Sequence, residues 1–269
     1  MSGEKPDERL LSDGATWIVD LDGVVWLAGE PIGAVAAALS ALRGRGVRTV
    51  FATNNSAPAT GELVARLARA GIPAAAVDLV TSAQAAASLL EPGSTAQVLA
   101  EAGVLEALAA RGVAVRDRGP VDAVVVGWTH HFDFGSLTRV SGAVREGARL
   151  IGTNEDPTYP TPSGPVPGSG ALLAAVATAG GVEPEIAGKP HPATVALLRS
   201  RFHLEGASGP VIMVGDRPMT DGHLAIELGV PFALVDSGVT PSAEVVTEVP
   251  VAYRAKDFAE LVEQFSARR

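Results

Sequence analysis

Short apolar runs alternate with helically spaced segments along this chain, and that alternation limits the folds open to it. Trp17–Asp20 (W-I-V-D) is a continuous apolar run ending in an acid, the pattern of a buried strand. Residues 32–43 then repeat apolar positions at Val35, Leu39 and Leu42, a helical spacing that Gly44 and Gly46 close. Thr49–Thr53 (T-V-F-A-T) predicts a second strand. Thr60 is placed to cap a helix carrying Leu63, Leu67 and Ala70 on one face. Strand, helix, strand, helix predicts a parallel sheet with right-handed crossovers, an α/β fold with a Rossmann-like core.

The rhythm continues differently in the middle of the chain. Residues 84–90, 101–111 and 136–145 predict helices, and 96–99, 122–127 and 149–152 predict strands. The stretch 154–168 holds five prolines and reads as a loop, after which Ser169 is placed to cap a helix through Ala179. This block is large enough for a sheet of its own. The expected organisation is a catalytic core of residues 1–81 and 182–269, with 82–181 inserted as an α/β cap domain. Beyond Gly181 the core rhythm resumes with a helix at 192–201, strands at 211–214 and 231–235, a helix at 221–228 and a last helix at 258–265. That last helix is expected to pack through Phe258, Leu261, Val262 and Phe265.

Composition excludes some functions. A net charge of −9 argues against a nucleic-acid partner, which needs a basic surface, but leaves room for a small phosphate ester bound at a local positive site. With no cysteine, the chain has no disulfide, thiolate nucleophile or Cys-ligated zinc. No run of about 18 apolar residues predicts a membrane span. Met1–Thr16 is polar without a signal-peptide core, so a cytoplasmic protein is expected, with its first dozen residues a frayed tail.

Three of the predicted strands end in polar residues that packing does not require: Asp20-Leu21-Asp22-Gly23, Thr53-Asn54-Asn55 and Gly215-Asp216. In an open parallel sheet, the carboxyl ends of the strands form the ligand crevice. Asp20 and Asp22, two residues apart on extended chain, hold their carboxylates about 6–7 Å apart on one side. Such a pair invites a metal ion, and it suits chemistry at phosphorus in which one carboxylate attacks while the other exchanges protons. Thr53 and Asn54 are short donors suited to phosphoryl oxygens, although a turn with a helix cap would use the same residues; Asn55 suits either purpose. Lys189, in Gly188-Lys189-Pro190, is placed to neutralise a phosphate, or is an ordinary surface lysine. Asp216 can reach a magnesium ion, and Asp221 can orient a metal-bound water or a loop. His130 and His131, adjacent on extended chain, point to opposite faces and make poor joint ligands. Trp26 either faces the cleft or packs.

Together DLDGV (20–24), TNN (53–55), GKP (188–190) and GDRPMTD (215–221) resemble the haloacid dehalogenase superfamily of phosphohydrolases, in the NagD-type branch with a large α/β cap. The resemblance implies that Asp20 forms an aspartyl-phosphate and ligates Mg2+. Asp22 would be the general acid/base, its carbonyl a further metal ligand. Thr53 and Asn54 would bind the phosphoryl group, with Lys189 stabilising its charge; Asp216 would ligate the metal and Asp221 support it. Glu155–Pro160 resembles the family's substrate-specificity region, without the histidine that pyridoxal phosphatases carry near Tyr159. The expected substrate is a small phosphate monoester of a sugar, glycerol or related metabolite. Caps of this branch often mediate dimers, so the resemblance also raises a homodimer. A phosphomutase of the same superfamily and a receiver-like phospho-aspartate protein are the alternatives; the acid at Asp22 speaks against the receiver.

Overall fold

The computed structural model describes residues 7–161, 164–238 and 248–267. In chain order the elements are β1 (Thr16–Val19), the ribbon strands β2 (Trp26–Leu27) and β3 (Glu30–Pro31), α1 (Val35–Arg43), β4 (Arg48–Thr53), α2 (Thr60–Arg69), β5 (Leu79–Thr81) and α3 (Ser82–Ser88). There follow β6 (Thr95–Leu99), α4 (Ala102–Arg111), β7 (Ala114–Val115), β8 (Ala123–Val126), α5 (Phe134–Arg145), β9 (Arg149–Gly152), β10 (Thr158–Thr161), β11 (Gly164–Pro167), α6 (Ser169–Gly180) and β12 (Glu185–Ile186). The chain closes with α7 (Pro192–Phe202), β13 (Val211–Gly215), a π-helical turn (Pro218–Gly222), α8 (His223–Leu228), β14 (Phe232–Val235), β15 (Tyr253–Ala255) and α9 (Phe258–Ser266). Among the described residues no helix is long and apolar enough to cross a membrane.

Two compact units result, one of residues 1–52, 64–79 and 198–269, the other of 53–63 and 80–197. The first carries a sheet of order β15-β14-β13-β1-β4-β5. Its pairs β1/β13, β1/β4, β13/β14 and β14/β15 are all parallel. All four residues of β1 and of β14 are buried, as a parallel sheet covered on both faces demands. Helix α9 buries Phe258, Leu261, Val262 and Phe265, the expected face, and Trp17 meets Phe258 and Phe265 edge-on with ring centroids 5.9 and 5.5 Å apart. The second unit carries its own parallel sheet, β12-β9-β8-β6-β7. One apolar cluster runs from Ala83 and Val104 to Ile151 and another from Val126 to Val176, so this block buries a core of its own.

Four local expectations are corrected. Among the first dozen residues, Asp7–Leu11 is anchored rather than frayed: Leu10 is buried and its carbonyl accepts the Trp17 indole N–H at 2.8 Å, while residues 1–6 lie outside the described residues. The proline-rich stretch pairs as an antiparallel hairpin, β10 with β11. Its prolines fall on alternate pairs (Pro160 opposite Pro165, Pro167 opposite Thr158), so the intervening pairs can carry the ladder without needing a proline N–H. Ser169 does not cap α6. Gly168 holds that position, and the Ser169 hydroxyl lies 3.2 Å from Thr153 Oγ1. The segment expected as one helix from Asp221 begins instead as the π-helical turn, because Arg217 carbonyl gathers the N–H groups of Thr220, Asp221 and Gly222.

Candidate active site

Strand β1 ends at Val19, and the Asp20 N–H donates to Val214 carbonyl at 2.9 Å, which fixes Asp20 beside the end of β13. Asp216 follows β13 directly, and the π-helical turn brings Asp221 back toward the strand end. The three carboxylates are buried, and each offers an oxygen within 4.8 Å of the others. Asp221 Oδ2 accepts the Arg217 N–H at 3.1 Å. Glycines crowd the cluster. A Cβ at Gly23 would come 2.5 Å from Asp216 Cγ, one at Gly238 would come within hard contact of Asp216 Oδ2, and one at Gly215 would meet Asp221. Gly23 also holds φ +95°, and its carbonyl accepts the Ser237 hydroxyl at 2.7 Å. Only glycine serves at such a point.

Three buried carboxylates this close repel one another unless a cation lies among them or protons neutralise them. An all-oxygen, all-carboxylate set is what a hard divalent cation such as magnesium selects. The residues present therefore fit a divalent metal held by Asp20, Asp216 and Asp221. The Asp22 side chain stands outside that trio. It is half-buried, and its Oδ1 accepts the Trp26 indole N–H at 3.1 Å. Spacing alone did not reveal this division among the four acids.

The predicted phosphate-binding residues gather in the second unit. Thr53 is the last residue of β4, buried, and its Oγ1 accepts the Asn55 N–H at 3.0 Å. The Asn54 amide clasps the backbone of Lys189: Oδ1 accepts the Lys189 N–H at 2.8 Å and Nδ2 donates to the Lys189 carbonyl at 3.3 Å. Asn54 Nδ2 also reaches Asp156 Oδ2 at 3.3 Å. Lys189 is buried, so it is not an ordinary surface lysine. A Cβ on Gly188 would come 2.6 Å from Asn54 Oδ1, which explains a glycine just before it.

Sequence reasoning missed what holds the Thr53–Asn55 segment. Asn154 Nδ2 and the Ser82 hydroxyl each donate to the Asn54 carbonyl at 2.7 Å, and Asn154 Oδ1 accepts the Asp156 N–H at 3.1 Å. Asn55 Nδ2 donates to the Tyr159 hydroxyl at 3.2 Å. Tyr159 stacks at a tilt on Trp128, centroids 5.4 Å apart, and Trp128 meets His130 edge-on at 4.3 Å. The available signal was Thr153-Asn154, a polar pair directly after a buried strand end, the same signature that marked the other motifs. The backbone N–H of His130 donates to Glu101 Oε1 at 3.2 Å.

Comparison with known proteins agrees with this geometry. Residues 17–114 match the model of the haloacid dehalogenase-like hydrolase family, and 186–261 match a second, HAD-hydrolase-like model. The chain is 33% identical over 252 residues to an acid sugar phosphatase of Staphylococcus saprophyticus, covering 92% of this chain and 96% of that protein. It is 36% identical over 234 residues to a dihydroxyacetone phosphatase of Corynebacterium glutamicum, covering 86% and 84%. A crystal structure of glycerol phosphate phosphatase from Mycobacterium tuberculosis in complex with magnesium superposes with a TM-score of 0.84 at 33% identity, covering 92% of this chain and 77% of that one. A buried carboxylate trio at the ends of β1 and β13, with a second acid two residues beyond Asp20, thus sits in a chain that belongs to the haloacid dehalogenase-like hydrolases, as a phosphatase of their NagD-like branch.

Proposed function

We propose that this phosphatase hydrolyses a small sugar, triose or glycerol phosphate through an aspartyl-phosphate on Asp20, with Mg2+ as the cation. The observation that carries the reading is the separation of the acids in space: Asp20, Asp216 and Asp221 form one buried trio, while the Asp22 side chain lies outside it and accepts the Trp26 indole N–H. A carboxylate oxygen of Asp20 attacks phosphorus, and the bond to the leaving oxygen breaks as Asp22 gives that oxygen its proton. A water oxygen then attacks the same phosphorus, its proton passes to Asp22, and the bond to Asp20 breaks to release inorganic phosphate. Magnesium, held by Asp20, Asp216, Asp221 and the Asp22 carbonyl, would offset negative charge on the carboxylates and the phosphoryl oxygens. Lys189 adds a fixed positive charge toward the phosphoryl group, with Thr53 and the Asn54 segment supplying donors. The Asn54 side chain serves chiefly to hold the Lys189 backbone. Residues 82–181 serve as the cap in this reading, and Tyr159 and Trp128, with Asn55 on the Tyr159 hydroxyl, are assigned to read the leaving group. Relatives named as an acid sugar phosphatase and a dihydroxyacetone phosphatase support this substrate class.

Asp20→Asn should abolish phosphate release from nitrophenyl phosphate and from triose and sugar phosphates, and chelation should do the same reversibly. Rapid acid quench of the wild type should trap a phosphorylated peptide containing Asp20. Retained turnover in Asp20→Asn would sink the mechanism, and product phosphorylated at a new position, without free phosphate, would indicate a mutase.

A further inference from the structure

We propose that Trp26 is a positioning residue for the proton transfers of Asp22. The inference rests on the phosphatase reading above, in which Asp22 serves the leaving oxygen. An indole N–H is a donor only, so a buried Trp26 can engage Asp22 solely as a fixed acceptor. Trp26 is 1% exposed and its Nε1–H meets Asp22 Oδ1 at 3.1 Å. One carboxylate oxygen is thereby held, which limits how the Asp22 carboxyl can turn as it exchanges protons.

The backbone makes the pin stiff. The N–H groups of Val24, Val25 and Trp26 all converge on the Leu21 carbonyl, at 3.4, 2.9 and 3.1 Å. The Gly23 N–H closes the loop on the Trp26 carbonyl at 2.7 Å, and Ile32 N–H ties Val25 from outside at 3.0 Å. Trp26 and Leu27 then pair with Glu30 and Pro31 in a small ribbon, so the indole is anchored by a turn and a strand rather than by its own rotamer alone. Arg66 completes the arrangement, with its guanidinium 4.2 Å from the ring centroid. A cation over the face draws density from the indole and strengthens its N–H as a donor. None of this is needed merely to fill space, which a phenylalanine would do.

The test exploits leaving-group chemistry. Nitrophenolate departs from phosphorus without a proton, whereas an alkoxide needs one from Asp22. The ratio kcat/KM reports the steps through aspartyl-phosphate formation, so only the alkyl ester should depend on a well-aimed proton. Trp26 is replaced by its benzothiophene isostere, 3-benzothienylalanine, which keeps the shape and loses the N–H; Trp26→Phe is the genetic counterpart. The isostere should lower kcat/KM for glycerol 3-phosphate roughly 10- to 100-fold, within the usual span for general acid catalysis, with a far smaller loss on nitrophenyl phosphate. An equal loss on both esters, or no loss on either, overturns the inference. Asp22→Asn is run beside it. If Asp22→Asn fails to show the same split, the proton role of Asp22 falls, and the proposed mechanism with it. If Asp22→Asn shows the split and the isostere does not, only the Trp26 assignment is lost.

Discussion

Gly23, Gly215 and Gly238 set the space in which the carboxylates can lie, and each is a residue-scale test of the metal site. Gly23→Ala would put a methyl group 2.5 Å from Asp216 Cγ and force φ +95° on an L-residue, a strain of about 1–2 kcal/mol before any clash. The expected result is a folded protein whose half-saturating magnesium concentration rises at least about tenfold, equivalent to ~1.4 kcal/mol of lost binding, measured by titrating activity with Mg2+. Glu101 offers a pH test away from the catalysis. The Thr129 hydroxyl at 2.6 Å, and then the His130 N–H, bond to its ionised form and hold its carboxyl below the usual value of 4.5. A depressed carboxyl contributes stability above the unfolded-chain value and loses it as pH falls through the folded one. The deficit of Glu101→Gln in urea denaturation should therefore be largest near neutrality and shrink on acidification through the carboxylate range. His130 and His131 show why residue type alone misleads: adjacent histidines invite a metal, but His130 lies against Trp128 and its backbone serves Glu101.

Among the elements, the strands that bear the motifs were legible because a continuous apolar run followed by a polar stop is a local signal, as at Trp17–Asp20 and Val211–Asp216. The hairpin of β10 and β11 was not, because proline frequency reports missing donors and not which pairs would have needed them. The loop after β9 carries the more consequential surprise. Asn154 fastens the Asn54 carbonyl and Asp156, and Asn54 in turn fastens Lys189. Asn154→Ala should cost about 1–3 kcal/mol in chemical denaturation, since two hydrogen bonds go, one to the Asn54 carbonyl, which keeps only the Ser82 hydroxyl, and one from the Asp156 N–H, and it should lower kcat more than it raises KM. The packing of α9 can be checked independently of catalysis. Phe265→Ala removes a ring that touches both Trp17 and Tyr253, and about 3–5 kcal/mol of stability should go with it.

At the scale of the molecule, the two units should respond differently to a bound cation. The three acids that would hold a cation all belong to the unit of residues 1–52, 64–79 and 198–269. A ligand that binds only the folded state stabilises it by about 2.7 kcal/mol at a hundred times its dissociation constant. Magnesium should therefore raise protection in hydrogen exchange within that unit, with residues 80–150 little changed, and chelation should separate thermal unfolding into two transitions. Uniform protection across both units would contradict the assignment of the cation to these acids. Asp216→Asn should remove the magnesium-dependent shift while leaving the second unit's transition in place.

What the sequence determined by itself was the alternation of elements, the parallel core, and the four motifs with their acids, because each of these is written in the spacing of a few neighbouring residues. Tertiary structure decided the rest: that Asp20, Asp216 and Asp221 share one buried point while the Asp22 side chain does not, that Trp26 holds Asp22, and that Asn154 supports Asn54 from a hundred residues away. Like charges converge, and polar side chains find distant partners, only when strands remote in sequence are brought side by side. Local periodicity carries no record of that register.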